Sequence, residues 1–157
     1  MIRLSALLQS FRRNERGAMI IETAIVAPVL VLMSLGAFQV SKMVARQSEL
    51  ESAASEAAAV ALSSAPDNAA KRTTLQQVIM SSTNLSASHV AVSEVYRCNS
   101  STAYVTALTS CTSGVVSKYV KIALTDTYTP TWTRFGVGSP LSFRVNRYVM
   151  YKQQVAS

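Results

Sequence analysis

The chain contains a single histidine, His89, and eight acidic residues in 157 positions. No serine, cysteine or carboxylate stands at motif spacing from that histidine. The usual acid/base or nucleophile set is therefore missing, and no catalytic residue is expected. His89 reads instead as a residue at the edge of a sheet. Only two cysteines occur, Cys98 and Cys111, with no further ligand of suitable type to build a metal site. The formal charge is +7, yet the chain beyond its first 17 residues has no Lys/Arg block, which argues against a nucleic-acid interface. Gly136-Val137-Gly138 lacks the context of a phosphate loop and reads as a flexible turn. No internal repeat or low-complexity tract appears, and nothing calls for a cofactor.

The most informative absence is of charge. Between Arg16 and Lys42 the only ionisable side chain is Glu22. The apolar run from Ala18 to Val40 would measure about 34 Å as a helix, enough for a hydrocarbon core of about 30 Å. It is too long for a cleavable secretory signal, whose apolar region is about 7–15 residues. Pro28 and Gly36 lie inside it; membrane helices tolerate both. Ahead of it stand Arg3, Arg12, Arg13 and Arg16 against Glu15, so residues 1–17 contribute +3 of the formal charge. Basic flanks stay on the cytoplasmic side, which places residues 41–157 outside the cytoplasm. In an oxidising compartment Cys98 and Cys111 are expected to form a disulfide.

The outer chain changes period twice. Lys42 to Leu62 is rich in Ala, Glu and Ser and continues the helix. Met43, Leu50 and Ala57 recur at seven, with Ala53/Ala54 and Val60/Ala61 between them. Lys42, Arg46, Glu49 and Glu56 form the opposite, wet stripe. Pro66 forces a stop. Asp67 or Asn68 can cap a second helix over 69–82, with Leu75, Val78 and Ile79 inward. His89 to Arg97, Tyr119 to Tyr128 and Leu141 to Tyr151 read as half-buried strands, the last two by clear alternation. Tyr104, Tyr119, Tyr128, Tyr148 and Tyr151 are expected to pack on the sheet, with Trp132 and Phe135 folded back over it. The expected fold is α+β: a long N-terminal transmembrane helix running into a small domain with a second helix and a roughly three-stranded antiparallel sheet.

The string Arg16-Gly17-Ala18-Met19-Ile20-Ile21-Glu22-Thr23-Ala24 resembles the processing site of type IV prepilins. The resemblance implies that a prepilin peptidase cuts after Gly17, that Ala18 becomes the new amino terminus, and that Glu22 is the fifth residue of the mature helix. Glu22 lies one helical turn from the Ala18 amine, so the two can pair within a subunit or between neighbours. The longer stretch Glu22-Thr23-Ala24-Ile25-Val26-Ala27-Pro28, with the aliphatic run and Gly36, is similar to the TadE-like minor pilins, or pseudopilins, of the tight-adherence (Flp) pilus system. Thr23 departs from the aromatic that often follows the glutamate, which speaks against the major pilin.

The resemblance implies a basic prepilin leader at 1–17, a transmembrane helix at 18–40 and an extracytoplasmic domain at 41–157. It implies a structural part in assembly or initiation of an adhesive pilus, with no enzymatic activity. The implied partners are the prepilin peptidase, other pilin and pseudopilin subunits, the inner-membrane assembly platform and membrane lipid, with no nucleic acid. The implied location is the inner membrane, amino end in the cytoplasm, with possible incorporation in a surface pilus. Two rivals fit the same residues. One is an uncleaved, signal-anchored adaptor with an extracytoplasmic interaction domain, in which Glu22 merely snorkels at the interface. The other is a periplasmic enzyme on a membrane stalk, for which His89, Glu94 and Asp126 would be the residues to test.

Overall fold

A computed structural model describes residues 15–155, without the side chains of Glu15, Arg16, Ala18 and Phe135. Residues 1–14, most of the expected leader at 1–17, and residues 156–157 lie outside the described residues. Helix α1 runs from Glu15 to Ser63 and α2 from Ala69 to Thr83. Strands β1 (Val90–Cys98), β2 (Val115–Tyr128) and β3 (Leu141–Val155) follow, joined by three short 3-10 turns. The architecture is α+β, with a long apolar N-terminal helix, a second helix and a three-stranded antiparallel sheet in the order β1-β2-β3. The chain divides into two compact units, Met1–Lys42 and Met43–Ser157.

In the first unit, α1 passes through Pro28 without interruption. Pro28 cannot donate the hydrogen bond expected at its position, and the neighbouring turns hold the helix together.

In the second unit, α1 has a narrow apolar seam made mostly of alanine. Leu50, Ala53, Ala54, Ala57 and Ala61 are buried and share one core with Leu75 and Ile79 of α2 and with Val90, Val120, Ile122, Leu124, Val145 and Val149 of the sheet. Small side chains let the helix backbone sit close to its neighbours, and Leu50 supplies the bulk. Val60 and Val78, two of the residues expected inside, are exposed. The helix ends before Pro66, and Asn68 caps α2 by accepting the Lys71 amide at 2.9 Å. Asn84 closes α2 in the left-handed conformation, φ 55°, which asparagine tolerates better than most residues.

The sheet alternates as its sequence suggests, one face toward the helices. Register pairs Val90 with Leu124 and Leu124 with Val145. A bulge falls in the β2–β3 ladder at Lys118/Tyr119. β2 begins four residues before the alternation becomes legible, and β3 continues four residues past Tyr151. The added residues include Ser117, Gln153 and Gln154, whose polar side chains mask a strand's period.

Candidate membrane and assembly segment

The first candidate site is the inner part of α1. Every side chain from Met19 to Leu35 is exposed, including Ile20, Ile21, Ile25, Leu32 and Met33 at well over half their surface. Apolar surface left in water costs about 25 cal/mol per Å², so this stretch belongs in lipid or against other apolar helices. The helix is long and apolar enough to cross a membrane. Its hydroxyls are satisfied internally: Thr23 Oγ1 donates to the Met19 carbonyl and Ser34 Oγ to the Leu30 carbonyl, each at 2.8 Å. Glu22 is exposed on the same stretch and is the one side chain there whose charge the helix backbone cannot satisfy. At the far end, the Lys42 ammonium lies 4.9 Å from the centre of the Phe38 ring, a favourable cation–π distance.

Gly17 and Ala18 both fall in the first turns of α1 rather than in extended chain. Apart from its chain neighbours and the local helix backbone, no described atom lies within 4 Å of the position a Gly17 Cβ would take. Packing therefore gives no reason for glycine at this position.

The second unit contains two polar clusters that the sequence did not reveal. Arg46, expected on the wet stripe, is half-buried instead. Its Nε donates to Asp126 Oδ2 at 2.6 Å, its Nη1 pairs with Glu49 at 2.9 Å, and its guanidinium reaches the Thr83 carbonyl at 3.4 Å. One side chain thereby ties α1 to β2 and to the end of α2. Burial opposes ionisation of Asp126, but the Arg46 hydrogen bond, the Thr127 amide and the Arg46 charge outweigh it and hold the carboxyl below its usual range. The second cluster joins α2, β1 and β3. Arg72 Nη1 lies 3.4 Å from Glu94 Oε2, and the Tyr151 hydroxyl donates to Glu94 Oε1. Burial, followed by that hydrogen bond and the Glu94 charge, pushes the Tyr151 phenol well above its ordinary value. No spacing rule could have found either cluster, since 80 residues separate Arg46 from Asp126 and 57 separate Glu94 from Tyr151.

His89 ends a 3-10 turn at the start of β1. Its Nδ1 lies 3.0 Å from the Thr125 carbonyl and its own carbonyl accepts from Thr125 Oγ1 at 3.3 Å, a structural role at the sheet margin.

The connection after β1 is held at both ends. Cys98 and Cys111 form a disulfide across a separation of 13 residues, Cα–Cα 5.3 Å. Val105 makes a two-hydrogen-bond bridge to Tyr96, 2.8 and 2.9 Å. Asn99 Oδ1 accepts the Val115 amide at 2.8 Å. Gly114 sits beside it at φ +85°, where a Cβ would collide with the Asn99 side chain, so this turn requires glycine. The loop lays Tyr104 against the sheet, stacked on Tyr148 at 4.2 Å and edge-on to Tyr119 at 5.2 Å. Arg97 covers the rings at 5.5 and 6.0 Å. The expected tyrosine packing is thus present for these three. Trp132 is half-buried, its Nε1 close to Gly138.

Among the described residues, no three His, Cys, Asp or Glu side chains gather as metal ligands would.

Residues 17–59 match the family model described as TadE-like protein. That segment begins at the glycine, contains Glu22 and Pro28, and ends within the alanine seam of α1. No curated protein and no solved structure matches the chain.

Proposed function

We propose, from the TadE-like match over residues 17–59, that the chain is a minor pilin or pseudopilin acting in assembly or initiation of a tight-adherence pilus. The observation that carries this reading is that the matched segment opens with the exposed apolar stretch Met19–Leu35, in which Glu22 is the one carboxylate. A carboxylate in a spanning helix costs a few kcal/mol and usually has a partner and a role. Cleavage after Gly17 creates such a partner, the Ala18 amine, four residues from Glu22. The prepilin peptidase would act on the cytoplasmic side. Other pilin subunits and the inner-membrane assembly platform would receive the mature helix, with Met43–Ser157 outside the cytoplasm.

One observation favours the uncleaved anchor as a second reading. Gly17 and Ala18 are helical, and a protease active site takes its substrate extended.

Removing the chain from cells that make tight-adherence pili tests the proposal. Surface pili should disappear or fall sharply and return on complementation with the full chain. Unchanged pilus number and length would refute it.

A further inference from the structure

The sheet has two outer edges, and they are treated differently. The β1 edge is partly occupied by Val105. The β3 edge is not: its 15 residues pair with β2 on one side, and among the described residues no backbone hydrogen bond joins its other side to any element. A strand of this length with open N–H and C=O groups is a template for a further strand.

Charge selects what can dock there. β3 carries Arg144, Arg147 and Lys152 and no acidic residue. All three are exposed; Arg144 and Arg147 take part in no ion pair among the described residues, and the Lys152 charge reaches Asp67, just ahead of α2, without a direct contact. Lys152 also stands directly opposite Lys118 of β2, a like-charge cross-strand pair that is unfavourable as it stands. A second copy of this chain does not suit the edge. Pairing two β3 strands would bring three further cations and no carboxylate to the edge, like against like. An extended acidic segment resolves both features, since its backbone completes the ladder and carboxylates on its helix-side face meet Arg147 and Lys152, which stand opposite Ile122 and Lys118 of β2. Beside the edge, on the face away from the helices, Tyr148 and Met150 are 40% and 48% exposed and offer an apolar contact for alternate side chains of the added strand.

We infer that the open edge of β3 is a docking site for an extended, acidic segment of a partner protein, added as a fourth strand. The site does not depend on cleavage or on the fate of the membrane helix.

The test uses the full chain in detergent micelles and two labelled 12-residue peptides. One alternates Glu with Val and Thr; the other carries Lys at each Glu position. The Glu peptide should bind, slow amide hydrogen exchange within Leu141–Val155, and weaken as salt shortens the Debye length. The Lys peptide should not bind. The triple variant R144E/R147E/K152E should lose roughly tenfold or more in affinity for the Glu peptide while keeping the hydrogen-exchange protection of β2. Should that variant misfold, the salt dependence and the peptide comparison on the unaltered chain decide alone. Equal binding of both peptides, no binding of the Glu peptide, or binding without protection of β3 amides would each overturn the inference. The last outcome would mark a polyanion held by charge alone.

Discussion

Glu22 is a residue whose two roles predict opposite results. If it only snorkels to the interface, Glu22→Ala removes a desolvation cost and leaves insertion, stability and pili intact. If it pairs with the Ala18 amine, the substitution strands that amine in an apolar setting, a loss that can reach several kcal/mol. The proposed function predicts the second: processed, membrane-resident subunit by immunoblot, with few or no pili by microscopy. Glu22→Asp keeps the charge with a shorter reach and should retain part of the pili. On β2, Asp126 tests the polar clamp that it forms with Arg46 of α1. Its carboxyl titrates lower in the folded chain than in the unfolded one, where the ordinary value is about 3.9. Its contribution to stability is therefore present above about pH 4 and lost as pH falls through the folded value. Asp126→Asn should cost about 1 kcal/mol at pH 7, because Arg46 keeps Glu49 and both partners are only partly buried (side-chain exposure 23% and 21%). Denaturation midpoints of variant and parent, measured from pH 7 to pH 2, should converge in acid. A gap that is constant across that range would show that Asp126 acts through packing alone.

At the scale of elements, the disulfide loop and the alanine seam are the points of leverage. Reducing Cys98–Cys111 should remove about 3 kcal/mol in the chain-entropy model for a loop of this length and release Tyr104 from Tyr148 and Tyr119. Thermal unfolding with and without reductant, followed by tyrosine fluorescence or near-ultraviolet circular dichroism, reads both effects. An unchanged melting temperature after full reduction would contradict the stabilising role. Leu50→Ala should cost about 2–5 kcal/mol, because Leu50 is fully buried among alanines that cannot move in to fill the space. The elements themselves were legible wherever one period was unbroken: the apolar run, the seam at Leu50 and Ala57, and the alternation of Val120, Ile122 and Leu124. What was not legible came from long-range pairing. The sequence places Arg46 on a polar stripe, and only the fold brings Asp126 to it. The ends of β2 and β3 carry serine, lysine and glutamine on a sheet that stays paired beyond its apolar centre, so their period is hidden. The stacking of Tyr104 on Tyr148 depends on a loop path that no spacing specifies. Of the candidate assembly residues, Glu22 is conspicuous as a single carboxylate in an uncharged run, whereas Gly17 and Ala18 are candidates only through the resemblance to a prepilin processing site.

At the scale of the whole molecule, the two units carry different tasks. Among the described residues, the unit through Lys42 exposes its apolar side chains, a surface suited to lipid or to neighbouring apolar helices. The unit from Met43 has a continuous core of two helices on a sheet. Under the proposed function, such a chain would pass from bilayer to filament by exchanging one apolar environment for another around the same helix, with Glu22 setting its depth. That sequence of events requires a free amine at Ala18, which the intact chain does not have. The most direct measurement is the intact mass of the protein recovered from membranes of cells with and without the prepilin peptidase. The proposed function predicts loss of residues 1–17 and a terminus at Ala18 only when the peptidase is present. An unprocessed mass in both cells would contradict it and leave the uncleaved anchor.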